Sequence, residues 1–527
     1  MGTLINPGNA GFTSIRASRY VDKNGLVVEV NHTIGTTEKL TCISRPRRFG
    51  KSYAAKMLCA YYDTTCDSHD LFDDLCVASD PSYVTHLNQY NVLYLDLTQI
   101  MQEAGTEGLI DYLTRKLIGE LRLEFPEART DDALSASLVN AVEQCGQRFV
   151  AIFDEWDAPI REMPSVAQDY LELLRALFKS SATTDRIFAA AYMTGILPIK
   201  KAEGQSAVSD FWEFSMLVPG LFAPYVGFLE GEVRTLCEDV GLDFEQMRYW
   251  YDGYELDETE SVYNPYAVMR AVRLRKFGSY WRYTSSADML LTYIDLDFEG
   301  LQSDVVRLIA GEELEVETGG FQNDPFCIKS RDDALTLMIH LGYLTFAEEL
   351  DGRGSIRIPN AEVRCEFEKV LHQAKHPELV KLVRASDELL AATQLLDAAA
   401  VAKAVSRVHD SNYAPKYYND EQALCHTVKM AYISALDQYA RVEELPTGHG
   451  LADVVFVPRR RSPLPAMVIE LKWNLESAGA IRQIKNRSYA MLPADLADEV
   501  LLVGISYNAQ TKVHSCSIER AEISGSR

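Results

Sequence analysis

Apolar positions mark out an order of elements along the chain. A short β-prone run at Leu40, Cys42 and Ile43 is followed by a helical pattern through Tyr53, Ala54, Met57, Leu58 and Tyr61. Val92 to Leu97 reads as a buried strand. Residues 107–123 carry a helix through Leu109, Leu113, Leu117 and Leu121, and 132–145 carry another. Phe149 to Phe153 is an unbroken apolar run, the pattern of a strand covered on both faces. A helix over 165–180 (Tyr170, Leu173, Leu174, Leu177) leads to a strand from Ile187 to Thr194. Strand and helix thus alternate from about 40 to 200, which predicts an α/β fold with a doubly wound parallel sheet.

From about 220 the pattern is mostly helical, over 230–238, 243–251, 265–275 and 287–294. Aromatic clusters stand at Tyr249, Trp250, Tyr251 and Tyr254, and at Tyr280, Trp281 and Tyr283 beside Arg282. They suit a core or a domain interface, or else stacked bases. Residues 300–360 mix short helices and strands, including 332–341 and 355–358, and 376–408 is helical and alanine-rich. A further helix begins at Glu421 and runs through Leu424, Val428, Tyr432, Ile433 and Leu436. Two apolar strands follow, ending at Val457 and Lys472, then a helix with Ala480, Ile481, Ile484 and Tyr489, and a strand from Glu499 to Ile505. The expected domains are an α/β phosphate-loop domain (1–220), a helical lid region (221–300), a helical or winged-helix-like linker (301–408) and a C-terminal α/β domain with a mixed sheet (409–527).

Composition narrows the function classes. Of 527 residues, 47% are hydrophobic and 24% charged, ordinary values for a globular chain. A net charge of −24 excludes a general attraction to nucleic acid or anionic membrane, so DNA binding would need a local basic patch or metal ions. The ten cysteines form no C-x-x-C pair, which argues against zinc and for a reducing compartment. No secretion signal or bilayer-length apolar stretch is read, so a cytoplasmic protein without a membrane partner is expected.

The chemistry begins at Arg45-Pro46-Arg47-Arg48-Phe49-Gly50-Lys51-Ser52, between the first strand and its helix. This context suits a phosphate-binding loop, in which backbone N–H groups cradle phosphate oxygens. Lys51 would reach the β- and γ-phosphates of ATP and the Ser52 hydroxyl would sit on Mg2+. The expected nucleotide contacts are Arg47, Arg48, Phe49, Gly50, Lys51, Ser52, Tyr53 and Asp154. The usual first glycine of the motif is Arg45 here, and a turn followed by a helix cap would explain Gly50-Lys51-Ser52 equally simply. The apolar strand ending in Asp154-Glu155 shifts the balance. In a parallel sheet its end lies beside the loop, where Asp154 can hold Mg2+ and Glu155 can orient or deprotonate the attacking water. Solvated acids at an edge strand are the alternative. Thr194, closing the neighbouring strand, is a candidate γ-phosphate sensor or a simple strand-end threonine.

A second constellation lies near the C-terminus. Asp453 precedes one strand, and Glu470 and Lys472 share a face of the next. A hairpin would bring the three together as a metal-dependent phosphodiesterase centre. Asp453 and Glu470 would hold Mg2+, with Lys472 orienting water or stabilising charge. Glu421 could add a metal ligand and Gln483 a contact to the same centre. A surface salt bridge between Glu470 and Lys472 is the simpler alternative. Arg459-Arg460-Arg461 between the strands reads as a solvated basic turn or a DNA-phosphate contact.

With both halves in view, the chain resembles the bacterial AAA-ATPase-like proteins that carry a C-terminal PD-(D/E)xK nuclease-type domain. Tyr20-Val21-Asp22-Lys23, Arg45 to Ser52, Asp154-Glu155-Trp156-Asp157, Tyr251-Asp252-Gly253-Tyr254 and Tyr263-Asn264-Pro265-Tyr266 carry the ATPase part. Gly448 to Asp453, Glu470-Leu471-Lys472 and Gln483-Ile484 carry the nuclease part. The group typically has arginine in place of the first loop glycine. The resemblance implies ATP binding at Lys51, Ser52 and Asp154 and metal-dependent nuclease chemistry at Asp453, Glu470 and Lys472, on DNA as the expected substrate. The group usually has Gly-Arg-x-Asp where this chain has Gly450-Leu451-Ala452-Asp453. The rival reading is a nucleotide-dependent switch whose C-terminal domain binds nucleic acid or a partner without cutting. Arg175 and Arg186 are the arginine-finger candidates, and a homo-oligomer is left open.

Overall fold

The computed structural model describes all residues except 1, 106–107, 132, 164, 180, 200–207, 209, 257–258, 282–299, 324–327, 351, 374–376, 413–420, 433, 436–437, 447–450, 459–463, 476, 487–498 and 523–527. The chain forms two compact units: Met1–Ser286 with Glu315–Val363, and Ala287–Leu314 with Arg364–Arg527. Residues 315–363, inside the expected linker, therefore fall with the first unit.

The first unit is built on a five-stranded parallel sheet: β1 (Leu40–Ser44), β2 (Asn91–Asp96), β3 (Phe149–Asp154), β4 (Phe188–Gly195) and β5 (Trp212–Phe214), in the order β2-β3-β4-β1-β5. Every residue of β1, β3 and β4 is buried, because helices cover both faces. One face (Cys42, Leu93, Leu95, Ala151, Phe153, Met193) packs on Leu113, Leu117 and Leu121 of helix Leu109–Glu124, Leu138 of Leu134–Cys145 and Leu174 of Ala167–Phe178. Helix Lys51–Tyr62 packs against β2, β3 and β4. Strand β5 is short and half-exposed, with too weak a pattern to read as a strand.

The segment expected to be mostly helical also contains a small antiparallel sheet, β6 (Phe228–Leu229), β7 (Tyr254–Leu256) and β8 (Thr259–Tyr263), ordered β6-β8-β7. Its helices start where polar caps allow. The Asp243 side chain accepts from the N–H groups of Glu245 and Gln246, and Asn264 from those of Tyr266 and Ala267, with Pro265 opening the helix. Strand β9 (Leu314–Glu317) and the hairpin β10 (Thr345–Leu350) and β11 (Arg353–Arg357) form a third sheet. The expected helix at 287–294 and the Arg282 and Tyr283 positions lie outside the described residues.

The second unit holds a mixed sheet of β12 (Tyr439–Pro446), β13 (Leu451–Pro458), β14 (Ala466–Trp473), β15 (Glu499–Asn508) and β16 (Val513–Glu522), in chain order. Only the β14–β15 pair is parallel, joined through helix Ser477–Asn486. Both edge strands, β12 and β16, are additions to the expected three. Consecutive charged residues, Glu443-Glu444 and Glu519-Arg520, break the alternating pattern that marks a strand. One face (Ile469, Leu471, Val503, Ile505) packs with helices Pro377–Gln394, Ala398–Asn412 and Glu421–Ala431. On the other, Ile481 and Ile484 cover Val468, Val500 and Leu502. Gly504 permits this close approach: a Cβ there would stand 2.5 Å from the Ser477 carbonyl oxygen and 2.9 Å from Ala480 Cβ. Gly504→Val is therefore expected to destabilise the second unit by about 2 kcal/mol or more in urea unfolding; unchanged unfolding would refute this packing.

Candidate functional site

The loop leaves β1 at Arg45, whose side chain is fully buried. Its Nη1 donates to the carbonyls of Ser44 (3.0 Å), Phe214 (3.2 Å) and Ser215 (2.8 Å), and Nη2 to that of Pro219 (3.5 Å). The guanidinium thus ties the loop to the edge strand β5 and the turn after it. At the other end Gly50 has φ +94 and caps helix Lys51–Tyr62. Glycine adopts that conformation without strain, and the space where a Cβ would stand is open to 4 Å.

The outer side of the loop is gripped by residues far along the chain. Phe49 is buried with its ring edge-on to Tyr254, centroids 5.1 Å apart. The Arg48 guanidinium lies 4.7 Å over the Tyr266 ring, and its Nη1 donates to the Tyr280 carbonyl at 3.0 Å. Asn264 Nδ2 reaches the Arg47 carbonyl at 3.5 Å. Gly342 packs so tightly on Pro46 that a Cβ there would come within 2.6 Å. The motif residues of 251–254 and 263–266 thereby acquire a physical role. They form a collar behind the loop, with Tyr254 Oη also donating to Gly342 O at 2.8 Å. Gly253, at φ +109, has no room for a Cβ, which would meet the Pro359 carbonyl oxygen at 2.1 Å.

Among the expected nucleotide contacts, the Arg48 and Phe49 side chains are thus engaged with the collar, so these two residues offer a phosphate chiefly their backbone. Arg47 lies 3.7 Å from Glu162, and the Tyr53 ring is exposed. Lys51 is buried, donates from Nζ to the carbonyls of Arg45 and Pro46 (3.0 Å each), and lies 3.6 Å from Glu155 Oε1.

The ends of the parallel strands complete the site. Asp96, Asp154, Thr194 and Ile43 stand in one register row across β2, β3, β4 and β1. Asp96 caps the next helix by accepting from Gln99 N–H at 3.0 Å. Among the described residues, neither Asp154 Oδ1 nor Thr194 Oγ1, both buried, has a hydrogen-bond partner. A buried carboxylate oxygen without a donor is costly unless a ligand completes it. Burial pushes the Asp154 carboxyl up to about 6, helped by the Glu155 and Asp96 charges and opposed by the Ser52 hydroxyl and Lys51. Asp154 beside Ser52 fits the oxygen-donor demands of Mg2+, and the open loop end fits phosphate.

Two neighbours add to the site: Asp157, read only as part of the Asp154–Asp157 motif, and Arg161, which went unread in the sequence. Asp157 accepts from the N–H groups of Ile196 (3.2 Å) and Leu197 (3.0 Å) and pairs with Arg161 at 2.5 Å. Arg161 also lies 3.6 Å from Glu155. The four-residue spacing of Asp157 and Arg161 was the available signal, obscured by Pro159 between them. Of the arginine-finger candidates, Arg186 pairs with exposed Glu143 and Arg175 lies in the last turn of helix Ala167–Phe178.

In the second unit, the register pair Val454↔Ile469 puts Asp453 opposite Glu470. Asp453 Oδ2 accepts from Leu471 N–H at 2.7 Å, and Glu470, nearly fully buried, lies 3.2 Å from Lys472 Nζ. The three sequence-predicted residues thus share one sheet face, continued by the paired hydroxyls of Ser506 and Ser515 and of Ser477 and Ser517. Asp453 and Glu470 supply the hard oxygen donors that Mg2+ prefers. The side chains of Glu421 and Gln483, together with Gly448–Gly450, Arg459–Arg461 and Tyr489, lie outside the described residues.

Residues 8–203 match the family described as Predicted AAA-ATPase, so an AAA-ATPase-like domain occupies that span. An uncharacterized protein in the vnfD 5′ region of Azotobacter chroococcum mcd 1 is 25% identical over 517 residues, 94% of this chain and 93% of its own length. Two solved structures of Aeropyrum pernix proteins align at low identity. ORC1 in complex with DNA shares 10% over 71% of this chain and 98% of its own, with a TM-score of 0.23. ORC2 in ADPNP–ADP complexes shares 11% over 66% and 93%, with a TM-score of 0.22. Among the described residues, no helix is long and apolar enough to cross a membrane.

The raised Asp154 carboxyl has a measurable consequence. Its folded form holds a proton more tightly than the unfolded chain, so it favours folding below about pH 4 and loses that contribution as pH rises through about 6. In metal-free buffer, Asp154→Asn should exceed wild type in stability at pH 8 by up to about 3 kcal/mol, a gap that closes near pH 4. Identical stability–pH curves would refute the buried, uncompensated carboxylate.

Proposed function

We propose that the first unit binds and hydrolyses ATP with Mg2+, and that the second carries a metal-dependent nuclease centre acting on DNA. The observation that carries the ATP reading is the buried Asp154 Oδ1, without a protein partner, beside a loop bearing Lys51 and Ser52. In this reading Lys51 exchanges its two loop carbonyls for phosphate oxygens. Ser52 and Asp154 hold Mg2+, which when bound neutralises phosphate charge. Backbone N–H groups of Arg47 to Tyr53 line the phosphates, while the collar keeps the loop in shape. Glu155 orients the attacking water and accepts its proton. Thr194, paired with Asp154 in the sheet, would contact the terminal phosphate.

The nuclease reading is carried by Asp453, Glu470 and Lys472 on one face of adjoining strands. The two carboxylates would hold Mg2+, and Lys472 would steady the attacking water. One observation favours the rival reading of a nucleotide-dependent switch that binds nucleic acid or a partner without cutting. Asp453 commits one oxygen to the Leu471 N–H, and that contact must coexist with metal binding or break.

The two centres are separable by mutation. Lys51→Ala should lower ATP hydrolysis by a factor on the order of 10³ or more. Asp453→Ala should abolish Mg2+- or Mn2+-dependent DNA cleavage and leave ATP hydrolysis near wild type. Wild-type protein that degrades neither DNA nor RNA, with or without ATP, would eliminate the nuclease in favour of the switch.

A further inference from the structure

A chain of ion pairs runs from the phosphate loop into the turn after β3. Glu155 holds φ +52, a left-handed backbone that costs a non-glycine residue about 1–3 kcal/mol and clusters at functional sites. Its carboxylate stands between two cations, with Oε1 3.6 Å from Lys51 Nζ and Oε2 3.6 Å from Arg161 Nη2. The two cations differ in how they are held. Lys51 is a single flexible side chain resting on loop carbonyls. Arg161 is 8% exposed and locked through Nη1 to Asp157, itself 3% exposed and fixed by two backbone N–H groups. Its Nη2 also meets Glu162 at 3.0 Å. If Lys51 turns to a phosphate, Arg161 is the cation that stays with Glu155.

We propose that Arg161 is a positioning residue for Glu155, a fixed post that holds the carboxylate on the attacking water once Lys51 has moved to the phosphates. The inference rests on the ATP-hydrolysis reading of Glu155. An arginine suits the task because its planar fork is held by Asp157 on Nη1 and by Glu162 on Nη2, which fixes the charge 3.6 Å from the Glu155 carboxylate. A lysine would keep the charge and lose that bidentate geometry.

The test compares steady-state ATP hydrolysis with equilibrium binding of a fluorescent ATP analogue for wild type, Arg161→Lys, Arg161→Gln, Glu155→Gln and the Glu155→Gln/Arg161→Lys double variant. Arg161→Lys should lower kcat about 10- to 100-fold while KM and analogue affinity stay within about twofold. Arg161→Gln should be slower still. In the Glu155→Gln background, Arg161→Lys should cost nothing more, because the residue it positions is gone. Asp157→Asn, which loosens the post without removing it, should give a smaller kcat loss of the same kind and serves if the Arg161 variants fail to fold. An unchanged kcat in Arg161→Lys overturns the proposal. So does an equal loss with and without Glu155, or affinity falling in step with rate, since each marks a merely structural arginine. Failure of the underlying reading looks different: wild type does not hydrolyse ATP, or Glu155→Gln is as fast as wild type, and the inference falls with it.

Discussion

The buried guanidinium of Arg45 is the fixed point of the first unit. It stands where many phosphate loops have a glycine, and it shapes the loop by a different means. A glycine permits a tight turn through backbone freedom. Arg45 instead directs its donors at the carbonyls of Ser44, Phe214, Ser215 and Pro219. A buried charge needs dipoles to offset it, and four carbonyls face this one. With Arg45 seated, β1 is tied to β5, Pro46 and Phe49 fall into the collar, and Gly50 opens the helix that carries Lys51 and Ser52.

Charge is distributed around that point in a graded way. Lys51 has several partners of similar quality: two loop carbonyls and one carboxylate. A cation with interchangeable partners can hand its charge to an anion and take it back at little cost. Arg161 is the opposite, pinned to Asp157. Glu155 stands between them, and the neighbouring Asp154 sits in surroundings that resist its ionisation. Such a site is destabilised until an added cation completes it, the arrangement expected where binding strength is drawn from relieved strain.

The parts legible in the sequence were those written locally. The unbroken apolar run of β3, the strand–loop–helix at 40–62, and the i to i+2 spacing of Glu470 and Lys472 all follow from a period of two or 3.6 residues. What was not legible depends on partners far away. Trp212-Glu213-Phe214 becomes a strand only because β1 lies beside it. Strands β12 and β16 lie at sheet edges, where the adjacent charges Glu443-Glu444 and Glu519-Arg520 interrupt the period of two. The side chains of Arg48 and Phe49 looked like nucleotide contacts because they sit in the loop. Nothing within ten residues announces Tyr254, Tyr266 or Tyr280 as what holds them. Arg161 was missed because Pro159 made the turn after β3 look irregular.

The collar also orders events in time. Arg47 meets Asn264 217 positions later, and Arg48 meets Tyr280 232 positions later. Gly342, against Pro46, belongs to a segment that returns to the first unit only after residues 287–314 have gone to the second. Contacts so distant in sequence close late, after shorter-range strand and helix pairings are in place. During synthesis from the N-terminus, the loop therefore emerges long before the residues that brace it. Its final shape is a product of the completed unit, so a half-made chain carries the loop sequence without the braced loop.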